Sequence, residues 1–507
     1  MMKRLLLYSL LYTCVCVCAH AQTHFVPAYY GSHMVLQRQA PLSFSGMADP
    51  GSRVKVQLGE ISAEVRANAA GEWQVLLPAM EAGGPYELQL GKEHFTDVYV
   101  GEVWLCSGQS NMEFRLNQDA DFRKNSKTLS DPNGPAPNSA EGLRLRADDE
   151  RLHFYNMRAN WLTNARRWSE SACDSTDRLL YFDTSRGWER CTSATAAQFS
   201  AIAYYFGREL ADSLGCHIGL VLNAVGGSPA ESWIDSELLH QEMPEIFTNW
   251  ADNAIVQDWV RGRAVQNVGN TGHRHPYQPC YLFDAGIEPL RNMTLRGAIW
   301  YQGESNAHDI SAHERLLPLM LQSWRQHLTS ADGELPFYMV QLSSIAPRHT
   351  WPAFRDSQRR LAERLPHVWM AISSDVGDSL DVHPRLKRPV GHRLATLALQ
   401  NTYGQAITST MPYAPTGHTL HKGRLYLRMG HARPTFKHTP RNMFEIRDAE
   451  GRWTEARPSV ENGQIRLDFN PLIRPTAVRY GWQPFTRACV TNEEGWPLST
   501  FELQLGQ

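Results

Sequence analysis

The stretch WLCSGQSNMEF, residues 104–114, marks a point where a buried strand ends and polar residues begin. An apolar run over 98–106 gives way at once to serine, glycine, glutamine and asparagine. Such an abrupt change is typical of a strand–turn–helix unit in an α/β sheet. A serine placed in this turn, here Ser110, is either a helix cap or a nucleophile. The rest of the chain is needed to choose between the two.

Four other apolar runs resemble the first and are interpreted as buried parallel strands of the same sheet. Together the five runs cover residues 98–106, 218–225, 297–301, 337–342 and 368–373. Stretches with helical periodicity lie between several of these runs, at 197–215, 313–330 and 355–366. This alternation of strands and helices predicts an α/β domain with a parallel sheet.

Residues on both sides of this region read as β-rich, with short runs separated by Gly, Pro and Asn turns. We predict an N-terminal β-sandwich domain over 22–96, the α/β domain over 97–412, and a second β-rich domain over 413–507. Two turn-rich stretches, 116–190 and 236–280, fit the alternation poorly and are interpreted as insertions beside the functional site.

Composition narrows the class of protein. With 42% hydrophobic and 20% charged residues, the 507-residue chain can build several hydrophobic cores and is not a disordered chain. Its formal net charge of -2 argues against nucleic-acid binding through a general basic surface. Six cysteines follow residue 21, without a CxxC pair, so a cysteine zinc site is not indicated and disulfide pairing is left open.

The first 21 residues have the pattern of a secretory signal. Lys3 and Arg4 precede a short apolar run that ends in Ala19-His20-Ala21, and cleavage is expected before Gln22. We therefore expect export to a periplasm or to the cell exterior. No later segment is apolar enough to form a stable membrane span.

Ligands bind beyond the carboxyl ends of the strands in an open parallel sheet, so the residues that follow each run are the candidates. These positions hold Gln109, Ser110, Asn111, Gly226, Gly227, Gln302, Glu304, Asn306, Asp378, Asp381 and His383. A serine, a histidine, carboxylates and amide donors are the groups that a serine acyl-enzyme mechanism requires. Each residue alone has an ordinary structural explanation. Because all of them follow the ends of successive strands, however, an active site is favoured.

The roles follow from the chemistry of each group. Ser110 is the candidate nucleophile and needs a base to take its proton, and His383 has the pKa range for that task. Asp381 is placed to hold the imidazole in the useful tautomer. Gly227 and Gln302, with the Ser110 N–H, are the candidate oxyanion donors, each worth roughly 3–4 kcal/mol.

Three motifs carry a family resemblance. GQSNM at 108–112, WYQGESNA at 300–307 and DVHP at 381–384, in this order, resemble the SGNH-hydrolase superfamily and, more narrowly, the sialate O-acetylesterase family. Further blocks, from GSHMVLQRQAPLSFSGMADPG at 31–51 to NEEGWPLSTF at 492–501, extend the resemblance over nearly all of 22–507 outside the insertions. The resemblance implies an SGNH-like three-layer α/β/α domain flanked by the two β domains. It also implies hydrolysis of O-acetyl esters on an acetylated sugar or glycan, with no metal and no organic cofactor.

The identity of the triad acid is open because the chain departs from the superfamily pattern. Many members place the aspartate three residues before the histidine, where this chain has Leu380. Asp381 lies two residues before the histidine and is preferred, with Asp378 as the alternative.

The oxyanion donors are open for a similar reason. The block that supplies an asparagine in the superfamily reads Gln-Gly-Glu-Ser-Asn, so either Gln302 or Asn306 is the donor, and Gln302 is preferred because it lies closer to the strand end. Gly226 competes with Gly227 in the same way. Glu304 is expected to orient its neighbours.

Three functions from two classes are compatible with these residues. The leading hypothesis is a sialate O-acetylesterase, and the alternative is an acetylesterase acting on plant polysaccharides such as xylan, xyloglucan or pectin. The third is a non-catalytic glycan-binding protein, against which the complete pair of Ser110 and His383 argues. A sialate site requires a cation for the carboxylate of the sugar. Arginines in suitable loops are Arg115, Arg274, Arg348 and Arg385. The sequence leaves the oligomeric state open.

Overall fold

The computed structural model describes residues 25–131, 134–136, 139, 142, 145–270, 272–407, 410–421, 423–437 and 443–506. The predicted signal segment, 1–21, lies outside these residues. The strands are β1 Val35–Gln37, β2 Leu42–Met47, β3 Arg53–Leu58, β4 Ile61–Arg66, β5 Glu72–Leu77, β6 Gly83–Leu90, β7 Glu93–Gly108, β8 Asp149–Asn156, β9 Arg158–Ala159, β10 Phe182–Asp183, β11 Trp188–Cys191, β12 Ile218–Ala224, β13 Gly297–Tyr301, β14 Phe337–Val340, β15 Val368–Ala371, β16 Gly417–His421, β17 Arg424–Arg428, β18 Pro434–Phe436, β19 Phe444–Arg447, β20 Trp453–Glu461, β21 Gln464–Asp468, β22 Ala477–Tyr480, β23 Val490–Asn492 and β24 Phe501–Gln504. The α-helices with described bounds are α1 Ser110–Glu113, α2 Ala120–Leu129, α3 Glu170–Asp177, α4 Ser193–Gln198, α5 Ala201–Leu214, α6 Ser236–Glu242, α7 Asp258–Val268, α8 Ile310–His327, α9 Trp351–Arg364 and α10 Arg388–Asn401.

The central sheet is built around β7, the strand that leads to the opening motif. Its strands follow the order β11-β8-β12-β7-β13-β14-β15, and every neighbouring pair from β8 to β15 is parallel. Strand β11 pairs antiparallel at one edge. All five apolar runs of the sequence form strands of this sheet, so the prediction of an α/β fold with a mostly parallel sheet is confirmed.

Helices cover both faces of the sheet. Trp104 of β7 lies in one buried cluster with Phe206 of α5 and Leu394 of α10. The next residue, Leu105, lies in a second cluster with Trp324 of α8 on the opposite face. Because successive side chains of a strand point to opposite faces, β7 must be apolar at consecutive positions to fill both clusters.

The segment 116–190, interpreted from the sequence as an insertion, also supplies two strands of the central sheet. Strand β8 pairs in parallel with β12, and β11 pairs antiparallel with β8. Sequence patterns missed β8 because its buried part, residues 152–155, is only four residues long and contains His153. The burial of these four residues depends on neighbouring strands that are distant in sequence.

The N-terminal strands are joined to the central sheet through the 16-residue strand β7. The first half of β7 pairs antiparallel with β6, and β3 and β4 continue the sheet beyond β6. Strands β2 and β5 form a separate pair, whose Phe44 and Trp73 lie in the same cluster as Val56 and Leu88. Strand β7 therefore crosses the predicted boundary between residues 96 and 97.

The C-terminal part is β-rich, as predicted. Strands β16, β17, β21, β20, β19, β22 and β24 form an antiparallel sheet in that order. The buried Arg355 of α9 connects this part to the α/β unit by donating hydrogen bonds to the carbonyl oxygens of Gly481, Gln483 and Pro484. In the described part of the chain, no helix is both long enough and apolar enough to cross a membrane. The cysteines in that part are buried free thiols, namely Cys106, Cys173, Cys191, Cys216, Cys280 and Cys489.

Candidate active site

Ser110 is the first residue of α1 and lies at the carboxyl edge of the sheet. The turn before it requires glycine, because Gly108 has a φ of +138° and a Cβ atom there would lie 2.2 Å from the carbonyl oxygen of Tyr301. The Gln109 N–H donates to that same carbonyl oxygen at 3.0 Å. The close parallel pairing of the ends of β7 and β13 therefore fixes the backbone that carries the serine.

His383 lies within hydrogen-bonding distance of this serine. Its Nε2 is 2.8 Å from the Ser110 Oγ, the separation expected for a nucleophile and its general base. Burial lowers the pKa of His383 from its ordinary value, the nearby Lys387 ammonium lowers it further, and Asp381 opposes both effects. The neutral imidazole, which can accept the serine proton, is therefore favoured near neutral pH.

Asp381 is close to the imidazole but does not form a short hydrogen bond with it. Its Oδ1 lies 3.7 Å from the His383 Nδ1 and accepts the His383 backbone N–H at 2.8 Å. The two side chains are 38% and 44% exposed, so solvent screens their attraction. Asp378 instead accepts the backbone N–H groups of Leu380 and Asp381, which shapes the loop and lowers the pKa of Asp378.

The two glycines after β12 lie beside Ser110 and have different surroundings. The Gly226 N–H donates to Oε2 of Glu113 at 2.9 Å, and burial raises the pKa of that glutamate. Gly227 has a φ of +79°, and a Cβ atom there would lie 2.3 Å from the Tyr277 hydroxyl oxygen. Both glycines line the cavity that contains Ser110. Glu113, which the sequence analysis missed, thus holds the glycine loop beside the serine.

Both N–H groups of the Gln302 amide are engaged by neighbouring groups. Its Nε2 donates to Asn306 Oδ1 at 2.6 Å and to the Ser228 carbonyl oxygen at 3.3 Å. The Asn306 Nδ2 in turn donates to the buried Glu231 at 3.0 Å. Neither amide belongs to the described residues that line the cavity. The structure therefore does not place the Gln302 and Asn306 amides in the lining of the cavity over Ser110.

Asn111 links three elements beneath the Ser110–His383 pair. Its Nδ2 donates to Glu304 Oε1 at 2.6 Å and to the Val382 carbonyl oxygen at 3.0 Å, and its Oδ1 accepts a hydrogen bond from the Lys387 ammonium. Burial raises the pKa of Glu304 to about 7 and lowers the pKa of Lys387 to about 7. The sequence analysis identified Asn111 and Glu304, but a lysine four residues after the histidine carried no recognisable motif.

A cavity of about 420 Å³ opens over the serine and the histidine. Its walls combine apolar and aromatic side chains with two cations, as is common for sites that bind small molecules. Residues of both predicted insertions contribute, namely Leu162, Thr163, Tyr181, Trp259, Arg263 and Tyr277, and the remaining wall includes Arg348 and Trp351. The segments 116–190 and 236–280 thus both contribute side chains to the cavity over Ser110.

A second cavity, also of about 420 Å³, adjoins the first at Ser110, Glu113 and His383. Its lining is more cationic and includes Phe114, Arg115, Arg123, Asp381 and Arg385. Among the arginines considered from the sequence, Arg274 lies elsewhere and pairs with Asp284 at 2.9 Å. Within the described ranges, no group of three or more His, Cys, Asp and Glu side chains is arranged to hold a metal ion.

Comparison with known proteins places these features in a family context. Residues 100–400 match the family described as "Carbohydrate esterase, sialic acid-specific acetylesterase". Sialate O-acetylesterase from Mus musculus is 29% identical over 90% of this chain and 88% of its own length, and the Homo sapiens protein of that name is 28% identical over 75% and 71%. The crystal structure of a carbohydrate acetylesterase from Xanthomonas citri superimposes with a TM-score of 0.73 at 28% identity, covering 95% of this chain and 99% of that one.

Proposed function

Because this chain belongs to the sialic acid-specific acetylesterase family of carbohydrate esterases, we propose that it removes O-acetyl groups from sialic acids through a serine acyl-enzyme. The family supports an ester hydrolase that acts on an acetylated carbohydrate. The serine mechanism rests on one observation, the 2.8 Å contact between His383 Nε2 and Ser110 Oγ at the floor of a cavity.

In the first half of the reaction, Ser110 Oγ attacks the acetyl carbonyl carbon and forms a C–O bond while His383 Nε2 takes the hydroxyl proton. The carbonyl oxygen becomes an oxyanion. When this intermediate collapses, the bond between the acetyl carbon and the sugar oxygen breaks, and the sugar oxygen receives the proton from Nε2. The deacetylated sugar leaves, and the acetyl group remains as an ester of Ser110.

In the second half, water replaces the sugar hydroxyl. His383 Nε2 takes a proton from the water as its oxygen attacks the acetyl carbon, and a second oxyanion forms. Collapse breaks the bond to Ser110 Oγ, which recovers the proton from Nε2. Acetic acid is released and loses its proton to solvent as acetate, and the enzyme returns to its starting protonation state without a cofactor in any step.

The backbone N–H groups of Ser110 and Gly227 are the oxyanion donors that the site supports best. Ser110 opens a helix, so its N–H belongs to a first turn without intrahelical partners. Gly227 lines the cavity beside it, whereas the Gly226 N–H is held by Glu113. Gln302 acts in this proposal through its hydrogen bond to the Ser228 carbonyl oxygen, because both of its N–H groups are engaged and direct donation would require the loss of one of these bonds.

The cations around the cavity support an acidic sugar as substrate. Arg263 and Arg348 line the cavity over Ser110, and among the described residues neither forms an ion pair with a carboxylate within 4.0 Å. A sialic acid carries a carboxylate that such guanidinium groups bind well, whereas xylan and xyloglucan are neutral. The aromatic wall of Trp259, Tyr277 and Trp351 would suit a neutral sugar ring and keeps a plant polysaccharide as the second candidate.

Acetate release tests the substrate class. We expect release from O-acetylated sialic acids, measured beside acetylated xylan, xyloglucan and pectin at equal ester concentration. Arg263→Gln and Arg348→Gln should each raise KM for the sialic acid by about 10-fold, since one hydrogen bond to a charged group is worth about 1.5–3 kcal/mol, and should leave KM for acetylated xylan unchanged. Arg274→Gln, outside both cavities, is the matched control. Activity confined to the plant polymers would reject the sialate proposal.

The acid of the triad is tested by a matched pair of substitutions. Asp381→Asn should lower kcat on the order of 10-fold, because an exposed ion pair contributes little and asparagine keeps the acceptor for the His383 N–H. Asp378→Asn should change kcat by less than about 3-fold, since its amide oxygen still accepts the two loop N–H groups. Acetate release at pH 7 measures both. A larger loss in Asp378→Asn would assign the acid to Asp378.

We also propose that residues 97–412 have an SGNH-hydrolase organisation between two β domains, and that the segment 1–21 directs export to a periplasm or the cell exterior. Support for the first comes from the parallel sheet with helices on both faces and the Ser110 and His383 loops at its carboxyl edge. Export rests on the N-terminal sequence pattern. N-terminal sequencing of the exported protein should begin at Gln22; an intact Met1 would reject cleavage.

A further inference from the structure

Resting on the proposed serine mechanism, we propose that Lys387, Asn111 and Glu304 form a buried positioning unit that holds the His383 loop against Ser110. None of the three is required by the chemistry of acyl transfer. Their hydrogen bonds instead connect three segments: the end of β7, which leads to Ser110, the end of β13, which leads to Glu304 in the cavity wall, and the loop before α10, which carries His383.

The Asn111 amide is the central link of this unit. It follows Ser110 directly, and one of its N–H groups donates to the carbonyl oxygen of Val382, the residue before His383. Its second N–H donates to Glu304, and its oxygen accepts from Lys387. All hydrogen-bonding groups of a completely buried side chain are thereby engaged, which allows only one orientation of the amide.

The ammonium group of Lys387 is buried against aromatic rings, with the Asn111 amide as its direct polar partner. The residue is 1% exposed, and Nζ lies 4.7 Å from the centre of the Phe114 ring and 5.6 Å from that of Tyr301. Cation–π contacts of this kind compensate only part of the cost of burying a charge. The direct polar partner of Nζ is Asn111, and no carboxylate of the described residues forms an ion pair with it. The cation therefore acts on the amide and on the imidazole beyond it.

Glu304 completes the unit from the other side. Its Oε1 holds the amide N–H, while its Oε2 is buried without a hydrogen-bond partner among the residues described. A carboxyl oxygen on the N–H side and the lysine amine on the oxygen side both favour the same orientation of Asn111. Because Glu304 also lines the cavity, the same group connects the nucleophile loop with the wall that a substrate would touch.

Lys387 of this unit also lowers the pKa of His383. The charged and titratable groups around the imidazole are Asp381 on its own loop, Lys387 before α10, Glu113 on α1, Glu304 after β13, and Arg348 and Arg385 at the cavity walls. After burial, the Lys387 cation is the largest cause that lowers the pKa of His383. Loss of this cation should raise the pKa of His383, so the imidazole would remain protonated, and inactive as a base, to a higher pH.

Lys387→Met is the variant that tests this inference. We expect kcat/KM to fall by about 10- to 100-fold at its optimum, with most of the change in kcat, and the acid limb of its pH profile to move to higher pH. A purely structural lysine would lower the yield of folded protein without moving that limb. Arg388→Met is the matched control, since it removes an adjacent but exposed cation and should leave the profile unchanged.

Coupling between the residues provides a second measurement. Asn111→Ala should lower kcat with little change in KM, and the Lys387→Met/Asn111→Ala double variant should be no worse than the more impaired single variant, because residues that act as one unit are not additive. Glu304→Gln retains an acceptor for Asn111 and should preserve more activity than Glu304→Ala. Additive losses in the double variant would overturn the proposal. If Lys387→Met fails to fold, the Asn111 and Glu304 series decides the question alone.

A substrate-independent readout separates this inference from the proposed function. Diisopropyl fluorophosphate labels a serine activated by a histidine, and its rate of incorporation at Ser110 can be followed by mass spectrometry. If the native protein is labelled but releases no acetate from any sugar, the proposed substrate fails while the positioning unit is still tested by the labelling rates. Equal labelling rates and equal pH limbs in the native protein and Lys387→Met would overturn the positioning role.

Discussion

Replacing Ser110 by alanine is expected to lower kcat for acetate release by about 10⁴-fold or more, as loss of the nucleophile does in other serine hydrolases. The reason is that no covalent acetyl intermediate can form once Oγ is absent. The fold should be unaffected, because Ser110 is held by the backbone pairing of β7 and β13 rather than by its own side chain. Substrate binding should persist, so an inactive variant with an unchanged Kd is the expected result.

Ser107 provides the matched control. It lies three residues earlier on β7, and its hydroxyl oxygen is buried without a hydrogen-bond partner among the described residues. Ser107→Ala should therefore keep both its activity and its reaction with diisopropyl fluorophosphate, whereas Ser110→Ala should lose both. Activity that persists in Ser110→Ala, with the label attached to another residue, would reject the nucleophile assignment and the acyl-enzyme mechanism with it.

The parts of the fold that sequence patterns predicted are the strands whose apolar residues follow one another in the sequence. The runs that became β7, β12, β13, β14 and β15 are apolar at consecutive positions, because both faces of these strands are covered. Strand β8 was not predicted, because its buried centre is short and its first residues are charged. Its pairing with β12, which is distant in sequence, makes it part of the sheet. The length of β7 was also underestimated, since its first half alternates in the manner of the N-terminal strands.

The same distinction applies to the site. Ser110 and His383 could be named because parallel strands deliver their following residues to one edge of the sheet. Lys387, Glu113 and Arg263 could not, because their importance arises from contacts between distant segments, such as the hydrogen bond from Gly226 to Glu113. The orientation of Gln302 has the same origin. A glutamine at a strand end is a plausible oxyanion donor until the neighbouring Asn306 and Ser228 compete for its N–H groups.

The residues proposed to react and the residues that form the cavity wall come from different parts of the chain. Ser110 follows the end of β7 directly, whereas His383 lies in the loop between β15 and α10, within 2.8 Å of the serine hydroxyl oxygen. Much of the surrounding wall comes from the segments 116–190 and 236–280, which contribute Tyr181, Trp259 and Tyr277. Changes in these segments can alter which acetylated sugar fits without disturbing the contact between Ser110 and His383. Substrate preference is therefore best tested by substitutions in the cavity walls. The type of reaction is best tested by substitutions of Ser110 and His383.

Replacing His383 by alanine is expected to lower kcat by about 10⁴-fold or more, comparable to the loss of the serine. The Ser110 hydroxyl would keep its position but would have no base within reach. Because the His383 side chain is 38% exposed where two cavities meet, added imidazole should enter the vacated space and restore part of the activity. The rescued rate should increase with the concentration of neutral imidazole, whereas Ser110→Ala should show no rescue.

The pH profile and a control histidine complete this test. In the native protein, burial and Lys387 lower the pKa of His383, so the acid limb of kcat/KM should lie below the ordinary histidine value of 6.5. In His383→Ala this limb should disappear, and with added imidazole it should follow the titration of imidazole itself. His392→Ala, which removes an exposed histidine paired with Glu209 on the surface of α10, should keep the native rate and profile. An acid limb that survives in His383→Ala would show that another group acts as the base, and the carboxyl of Glu113, which lines both cavities beside Ser110, would then be the next residue to replace.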